Sequence, residues 1–459
     1  MDLLQYLTVK NIDFLSKRED VIPYIRDASY FTGELPIAVV LPKNENEISE
    51  ILTKCYEENI KVVARGGGTS LTGSSSSLKG SVVISMLRLN KILEFSGGDR
   101  YVHVQAGVRI DDLNLYLQSK GFLYPPDPAS SLASTVGGTI STNAGGLRGT
   151  YYGSTKEWIL GLGIVLADGR IIRTGGKILK RSAGYDLTSL FVGAEGTLGI
   201  IFDAYLKIVP RIENFTRIMV FFRKAEDMGK AIYQIKESGL NPLSAEFTDK
   251  ISMNIISRMS GIPVPDGSEV LLIIDIPLLS GNEYEKFIQI IKNSNPTGIK
   301  SLNAEESEVV YKARKGLYSS LLNEREREGE YIIIGDVVVP SSEVPEALNE
   351  TRDLIEKFGL KISLFGHIGD GNIHANVFTN INSNEEMKKA EKFLEEFGDI
   401  ALRHNGSVSA EHGIGFEKKE LLIREFIYKK SIVNMEIMKS IKKILDPKNI
   451  LNPGKVFDL

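Results

Sequence analysis

The sequence predicts an α+β chain with two folded domains and a helical C-terminal segment. Three observations carry this reading. At 459 residues the chain exceeds the roughly 250–300 at which a single hydrophobic core stops growing. Short apolar strands alternate with amphipathic helices up to about Pro210, and the alternation begins afresh at Arg217. Glycine-rich segments crowd the first half, whereas four of the five histidines lie in the second. The expected domains are therefore 1–210, 211–417 and 418–459.

IAVVLP (37–42) and IKVVAR (60–65) read as buried strands, and Ile48, Ile51, Leu52 and Cys55 between them fall at helical spacing. SVVISM and YVHVQAG are strands, and DDLNLYLQSKG is a helix stopped by Gly121. From Arg217, RIMVFF, LSAEFTD, EVLLIIDIP, YIIIGDVVVP, KISLFGHI and NIHANVF are strands. EDMGKAIYQIKES and NEYEKFIQIIK are helices. This order suits a ferredoxin-like or similar α+β domain. Residues 418–445 are strongly helical.

Composition narrows the chemistry. The 55 basic and 59 acidic residues nearly balance, and no long Lys/Arg block occurs, so nothing points to nucleic acid or to an anionic membrane. Cys55, the single cysteine, excludes an internal disulfide, a cysteine-held zinc and a protein-held iron–sulfur cluster. The start of the chain lacks signal-peptide features, and no segment approaches the ~20 apolar residues of a membrane span. A cytoplasmic protein is expected, with peripheral membrane association left open.

VVARGGGTSLTGSSSS (62–77) is a strand running into glycines and hydroxyl residues, whose backbone can form a nest for phosphate oxygens. It is neither a Walker loop nor a dinucleotide fingerprint, because no Gly-Lys-Ser/Thr follows and Leu71 stands where a third glycine should be. PPDPASSLASTVGGTISTNAGGLRGTYYG (125–153) alternates rigid prolines with permissive glycines, and FVGAEGTLGI (191–200) adds three more. Three such segments suit a large ligand with a pyrophosphate lying along backbone.

HIGDGNIH (367–374) sets two histidines around a GDGN turn. A two-residue type I′ loop at Asp370-Gly371 would place His367 opposite His374, with Asn376 on the same face. Imidazoles so opposed can share one ion or form an ordinary cross-strand pair. VSAEHGIG (408–415) then adds Glu411 and His412 on an expected strand that Gly413 would have to bend. His404 reads as a capping or surface residue.

RGGGTSLTG, PPDPAS, ASTVGGTISTNAGG, VLADGR, GYDLTSLFVGAEGTLGI and NPGKV together resemble the FAD-linked oxidase family. That family includes the D-subunit of glycolate oxidase, D-lactate dehydrogenases and D-2-hydroxyglutarate dehydrogenase. The resemblance runs from about Gly33 to Val456. It implies a vanillyl-alcohol oxidase (PCMH)-type FAD-binding domain followed by a cap. It also implies that Arg65, Gly66, Gly67, Gly68, Thr69, Ser70 and Gly73 wrap the FAD pyrophosphate. Pro126, Asp127, Ser134, Gly137, Gly138, Thr142, Asn143, Gly145 and Gly153 would line the isoalloxazine and ribityl region. Glu195, Gly196 and Ile200 would lie near the adenine half or the sheet beneath it, with Asn452 returning from the C-terminus. His367, His374 and Glu411 are assigned to a divalent metal (zinc, with manganese or iron also suitable), His412 to acid–base chemistry, and Arg314 to the substrate carboxylate. Tyr318 and Asn376 complete the substrate pocket.

The activity so implied is oxidation of a D-2-hydroxy acid, with electrons leaving to oxygen, a quinone, a soluble carrier or a partner subunit. A homodimer or membership of a complex is expected. Two departures stand out. Tyr151-Tyr152-Gly153 replaces the family's Arg-Tyr-Gly, and Gly335 precedes Asp336 where relatives carry a charged residue. The missing lysine there leans away from a dicarboxylate and toward lactate or glycolate. Cys55 and His103 read as packing residues, so FAD is expected to be held without a covalent bond. The competing readings are a noncatalytic flavin subunit of a glycolate oxidase-like complex, a D-2-hydroxyglutarate-type dehydrogenase, and a nicotinamide-linked reductase of the same fold.

Overall fold

The computed structural model describes residues 1–278 and 282–459. Two compact units emerge. The first comprises Met1–Gly145, Ser154–Arg211 and Glu411–Leu459, and the second Gly146–Gly153 and Ile212–Ala410. The chain thus rejoins the first unit from Glu411, ahead of the helical segment expected from 418.

In the first unit, β1 (Phe14–Leu15), β2 (Ala38–Val40), β3 (Val62–Arg65) and β4 (Val82–Ser85) form a sheet in the order β1-β2-β4-β3. Strands β2 and β3 each run parallel to β4. The helix Glu45–Glu58 makes the crossover and buries Ile48, Ile51, Leu52 and Cys55, as their spacing predicts. Burial raises the Cys55 thiol to about 12, so this cysteine packs and does not react. A second sheet takes β5 (Ile92–Ser96), β6 (Tyr101–Gln105), β8 (Ile159–Val165), β9 (Ile171–Gly175) and β10 (Ile200–Lys207) in the order β5-β6-β10-β8-β9. Between these, β7 (Phe122–Leu123) pairs with β11 (Val209–Pro210). In β6, His103 stacks on Tyr205 at 3.9 Å, with Nε2 3.2 Å from Asp203. The C-terminus returns along β3, where Val62 N donates to the Ile450 carbonyl at 2.7 Å and Asn452 N to that of Val62 at 2.8 Å.

The second unit is a seven-stranded antiparallel sheet of β12 (Phe215–Phe222), β13 (Ser244–Asp249), β14 (Val270–Pro277), β15 (Pro296–Ser301), β16 (Glu330–Val338), β17 (Ile362–Gly366) and β18 (Asn372–Asn380). Its order is β15-β12-β14-β13-β17-β18-β16, wider than a single ferredoxin-like motif. One face packs Met219, Phe221, Leu271, Ile273, Ile332, Phe365 and Phe378 against the helices Lys250–Ser260, Ala304–Lys315 and Leu317–Leu321. The other is covered in part by the helix Asn384–Arg403, whose Leu394 and Phe397 press on Gly335.

Two local expectations are corrected. The GDGN turn is not a two-residue hairpin, because Ile368–Asp370 form a short 3-10 turn closed by Gly371 at φ +79°. His367 therefore lies in the loop, and His374 stands opposite Phe365 of β17 on one side and Asp336 of β16 on the other. The second correction concerns residues 408–413, which form a loop and not a strand. Gly413 bends it at φ +78°.

Candidate active site

Buried charge marks the second unit's candidate site. On the helix-covered face, strand alternation aims Asp336, His374, Phe365 and Glu246 the same way. Glu246 is 1% exposed, and its carboxylate lies 2.8 and 2.9 Å from His367 Nδ1. Asp336, also 1% exposed, places Oδ1 3.3 Å from His374 Nδ1. A carboxylate only accepts, so the Glu246 contact puts the ring hydrogen of His367 on Nδ1 and makes its Nε2 the lone-pair nitrogen, whereas the Asp336–His374 contact is a proximity without hydrogen-bond alignment. The Glu246–His367 contact is the outer-shell arrangement of metal-ligating histidines. The two rings lie at right angles with centroids 5.5 Å apart.

Asp336 also fixes the chain leading to Glu411. Its Oδ2 accepts from Ala410 N at 3.0 Å and Ser409 Oγ at 3.3 Å, and its Oδ1 accepts from Asn372 Nδ2 at 2.9 Å. Arg314, 3% exposed on its helix, lies over the Phe365 ring and sets Nη2 2.6 Å from Glu246 Oε2. The contact is an ion pair without good hydrogen-bond alignment, and Nε has no acceptor. Asn376 is fully buried; its Nδ2 donates to the Ser363 carbonyl at 3.0 Å, while Oδ1 has no donor. Buried polar atoms left without a partner are costly unless a ligand satisfies them. Tyr318 packs at the edge of the neighbouring apolar cluster.

The segment 146–153 also belongs to this unit. Thr150 sits against Gly369, and Gly149 against the Asp370 carboxylate, which burial raises to about 6. Gly153 donates its N–H to the Gly149 carbonyl at 2.7 Å and ends the short helix Gly149–Tyr152 at φ +76°.

In the first unit the glycine-rich segments meet backbone to backbone. A Cβ on Gly66 would strike Thr135 Oγ1, and one on Gly67 the Ala133 carbonyl. Gly68, at φ +69°, lies under the Arg65 guanidinium, whose Nη1 donates to the Ser75 carbonyl at 3.1 Å. After Thr69, Ser70 Oγ accepts the N–H of Thr72 at 3.2 Å and that of Ser74 at 3.4 Å, and Gly73 abuts the Phe31 ring. Pro126, Asp127 and Ser134 are buried, and Ser134 Oγ has no hydrogen-bond partner.

The helix Val136–Thr142 is capped by Thr135, places Gly137 against Ala106, and ends at Asn143 in the left-handed region. Within that helix Thr142 Oγ1 donates to the Gly138 carbonyl at 3.2 Å, and Asn143 Oδ1 accepts from Lys156 N at 2.9 Å. A glycine cradle beside an unsatisfied buried hydroxyl fits a bound cofactor with a polar spine.

Glu195, expected near a cofactor's adenine half or the sheet beneath it, accepts Ile414 N at 2.7 Å and Gly415 N at 2.9 Å on its carboxylate. Burial raises it to about 7 against the pull of those two bonds. It therefore clamps the loop that carries Glu411 and His412. Thr72 Oγ1 holds the His412 carbonyl at 3.4 Å, and Glu411 Oε2 lies where a Gly145 Cβ would come within 2.5 Å. Asn452 Nδ2 donates to the Glu195 carbonyl at 2.6 Å, and Gly196, at φ +70°, abuts that amide. Ile200 opens β10 in the core. Sequence reasoning missed Glu246 and Asp336 as carboxylate partners; for Asp336 the signal was an acid inside the apolar run IIIGDVV, whereas Glu246, in SAEFTD, had no such signal.

Residues 36–175 match the family described as FAD binding domain, and 212–456 match FAD linked oxidases, C-terminal domain. The chain is 37% identical over 438 residues to glycolate oxidase subunit GlcD of Bacillus subtilis, covering 95% of this chain and 92% of that one. It is 33% identical to a D-lactate dehydrogenase of Archaeoglobus fulgidus, covering 97% and 98%. The solved 4-ethylphenol oxidase of Gulosibacter chungangensis superposes with a TM-score of 0.77 at 17% identity, covering 100% and 98%, which shows a shared fold.

Proposed function

The chain belongs to the FAD-linked oxidase family, and from that premise we propose that it oxidises a small D-2-hydroxy acid, of the D-lactate or glycolate type, to the 2-oxo acid. It is a flavoprotein oxidoreductase of CH–OH donors. The observation that carries the finer reading is the pair of buried carboxylate–imidazole contacts, Glu246–His367 and Asp336–His374, beside the helix residue Arg314 that pairs with Glu246.

Arg314 takes the substrate carboxylate, using the planar fork whose Nε has no acceptor. Asn376 offers its Oδ1 and Tyr318 borders the pocket. His412 receives the hydroxyl proton, a task suited to an imidazole near neutral pH. Residues 65–73 and 126–145 would hold FAD, which would supply the acceptor for the hydride from the α-carbon. His367, His374 and Glu411 would hold a divalent cation, zinc in preference to manganese or iron, which supplies Lewis-acid polarisation of the hydroxyl. Glu246 and Asp336 orient the two imidazoles. The electrons then pass to an acceptor outside this chain or to oxygen.

Elemental analysis tests the metal assignment. His374→Ala is expected to lose the bound metal and dye-linked turnover of D-lactate while retaining the flavin absorbance band. Full turnover after exhaustive chelation, with no metal found, would overturn the assignment while leaving the redox reading intact.

A further inference from the structure

The helices Lys419–Tyr428 and Val433–Leu445 form a hairpin whose inner side packs on the C-terminus. Leu422, Phe426, Met435 and Met438 meet Ile414, Val456 and Phe457. The outer side is unusually apolar. Ile427 is 62% exposed, Ile437 54% and Ile444 75%, with Ile423, Tyr428, Ile432 and Val433 also exposed. Val433, Ile437 and Ile444 fall within about 40° of one another at 3.6 residues per turn, so they make one stripe. Ile423 and Ile427 make a second at i, i+4 spacing.

The charge around these stripes is one-sided. Residues 418–448 contain nine Lys/Arg and four Asp/Glu, in a chain that is acidic as a whole. Lys442 and Asp446 pair in the interior, and Lys429 pairs with Glu425 at 2.7 Å. Lys430, at the tip between the helices, holds φ +52°. Glycine or asparagine is at ease in that region and lysine is not, so the side chain is retained there at a conformational cost. Lys443 and Lys448 are also exposed.

We infer that this hairpin docks flat on an anionic lipid surface, with Ile423, Ile427, Ile437 and Ile444 entering the interface and Lys430 and Lys443 meeting headgroups. An exposed apolar stripe flanked by lysines is the pattern of an interfacial helix. A second copy of the chain suits the face poorly, because a two-fold contact would set one net-positive hairpin against another. No helix among the described residues is long and apolar enough to cross a membrane, so the contact is peripheral. The whole-chain charge balance hid this feature, since the rest of the sequence is acidic enough to offset it.

The test is co-sedimentation of the full-length, FAD-loaded protein with vesicles of phosphatidylcholine alone or mixed with phosphatidylglycerol. Binding is expected only to the anionic vesicles and is expected to weaken at high salt. Lys430→Gln and Lys443→Gln should each lower affinity about fivefold, and Ile427→Gln with Ile437→Gln by about tenfold or more. Flavin absorbance and melting temperature should stay unchanged in the lysine variants. The inference is overturned if the anionic vesicles leave the protein in the supernatant, if neutral vesicles bind it equally, or if the lysine variants bind undiminished. It is also overturned if the isoleucine variant converts a dimer to a monomer by sedimentation velocity, because a second copy would then own the face.

Discussion

At the level of single residues, the proposed substrate choice is tested at two neighbours in β16 that face opposite ways. Gly335 looks informative in the sequence, because a charged residue there would change the pocket. Its absent Cβ, however, would lie 2.8 Å from Leu394 and 2.9 Å from Phe397, on the side of the helix Asn384–Arg403. The position facing the site is Ile334, paired with Asn376. The proposed monocarboxylate preference is therefore tested at Ile334, which stands beside Asn376. Ile334→Lys is expected to raise kcat/KM for D-2-hydroxyglutarate relative to D-lactate by about tenfold. Gly335→Lys should bring no such gain and should cost about 1–3 kcal/mol by overpacking, which steady-state kinetics and thermal unfolding will distinguish. Arg314→Lys keeps the charge and loses the fork, so a KM increase of about tenfold is expected with the flavin still bound. Glu246→Gln leaves the buried guanidinium against a neutral amide and should destabilise by about 3 kcal/mol, read as a fall in melting temperature.

Among the elements, periodicity located most strands and helices of the second unit and the early strands of the first, because burial on one face imposes the 2- and 3.6-residue repeats directly, but β5, β8, β9, β10 and β15 were not read from it. Turns were less legible. The Asp-Gly pair suggested a hairpin loop, but Gly371 closes a 3-10 turn against the Val339 carbonyl, where any side chain would collide. Only the packed strand beside it settles that choice. The loop at 408–413 escaped for a similar reason, since Ser409 and Ala410 are held by Asp336 from a distant strand.

His404 shows the same limit. It reads as a capping or surface residue and does cap the helix Asn384–Arg403, but it is only 8% exposed, with Glu343 at 2.8 Å and Glu350 at 3.0 Å. Burial opposes its charge, but the two glutamate hydrogen bonds outweigh this and raise its pKa. A raised folded-state value adds stability below the unfolded pKa of about 6.5, which is lost as pH rises through the folded value. His404→Gln should therefore lower stability by about 1 kcal/mol in mild acid, and the gap from the parent should close in alkali. A gap that persists unchanged across that range would contradict the ion-pair account.

For the molecule as a whole, the fold class was legible because the glycine segments are long, ordered and specific. The structure adds why many of those glycines are required. Gly66 and Gly67 let one backbone segment lie on another, and Gly196 yields room to Asn452, so part of what looked like ligand contact is chain packing. The first unit is closed by its own C-terminus, through Asn452 and through Lys455, which bonds the Ser76 carbonyl and Asn452 Oδ1 at 3.1 Å each.

The central claim is that this flavoprotein draws a hydride from a D-2-hydroxy acid. Anaerobic mixing of the FAD-loaded protein with D-lactate, followed at the oxidised flavin absorbance band, tests it most directly. Complete bleaching by D-lactate or glycolate, with L-lactate leaving the band intact, is the predicted result. A band that no D-2-hydroxy acid reduces, but that NADPH bleaches, would contradict it.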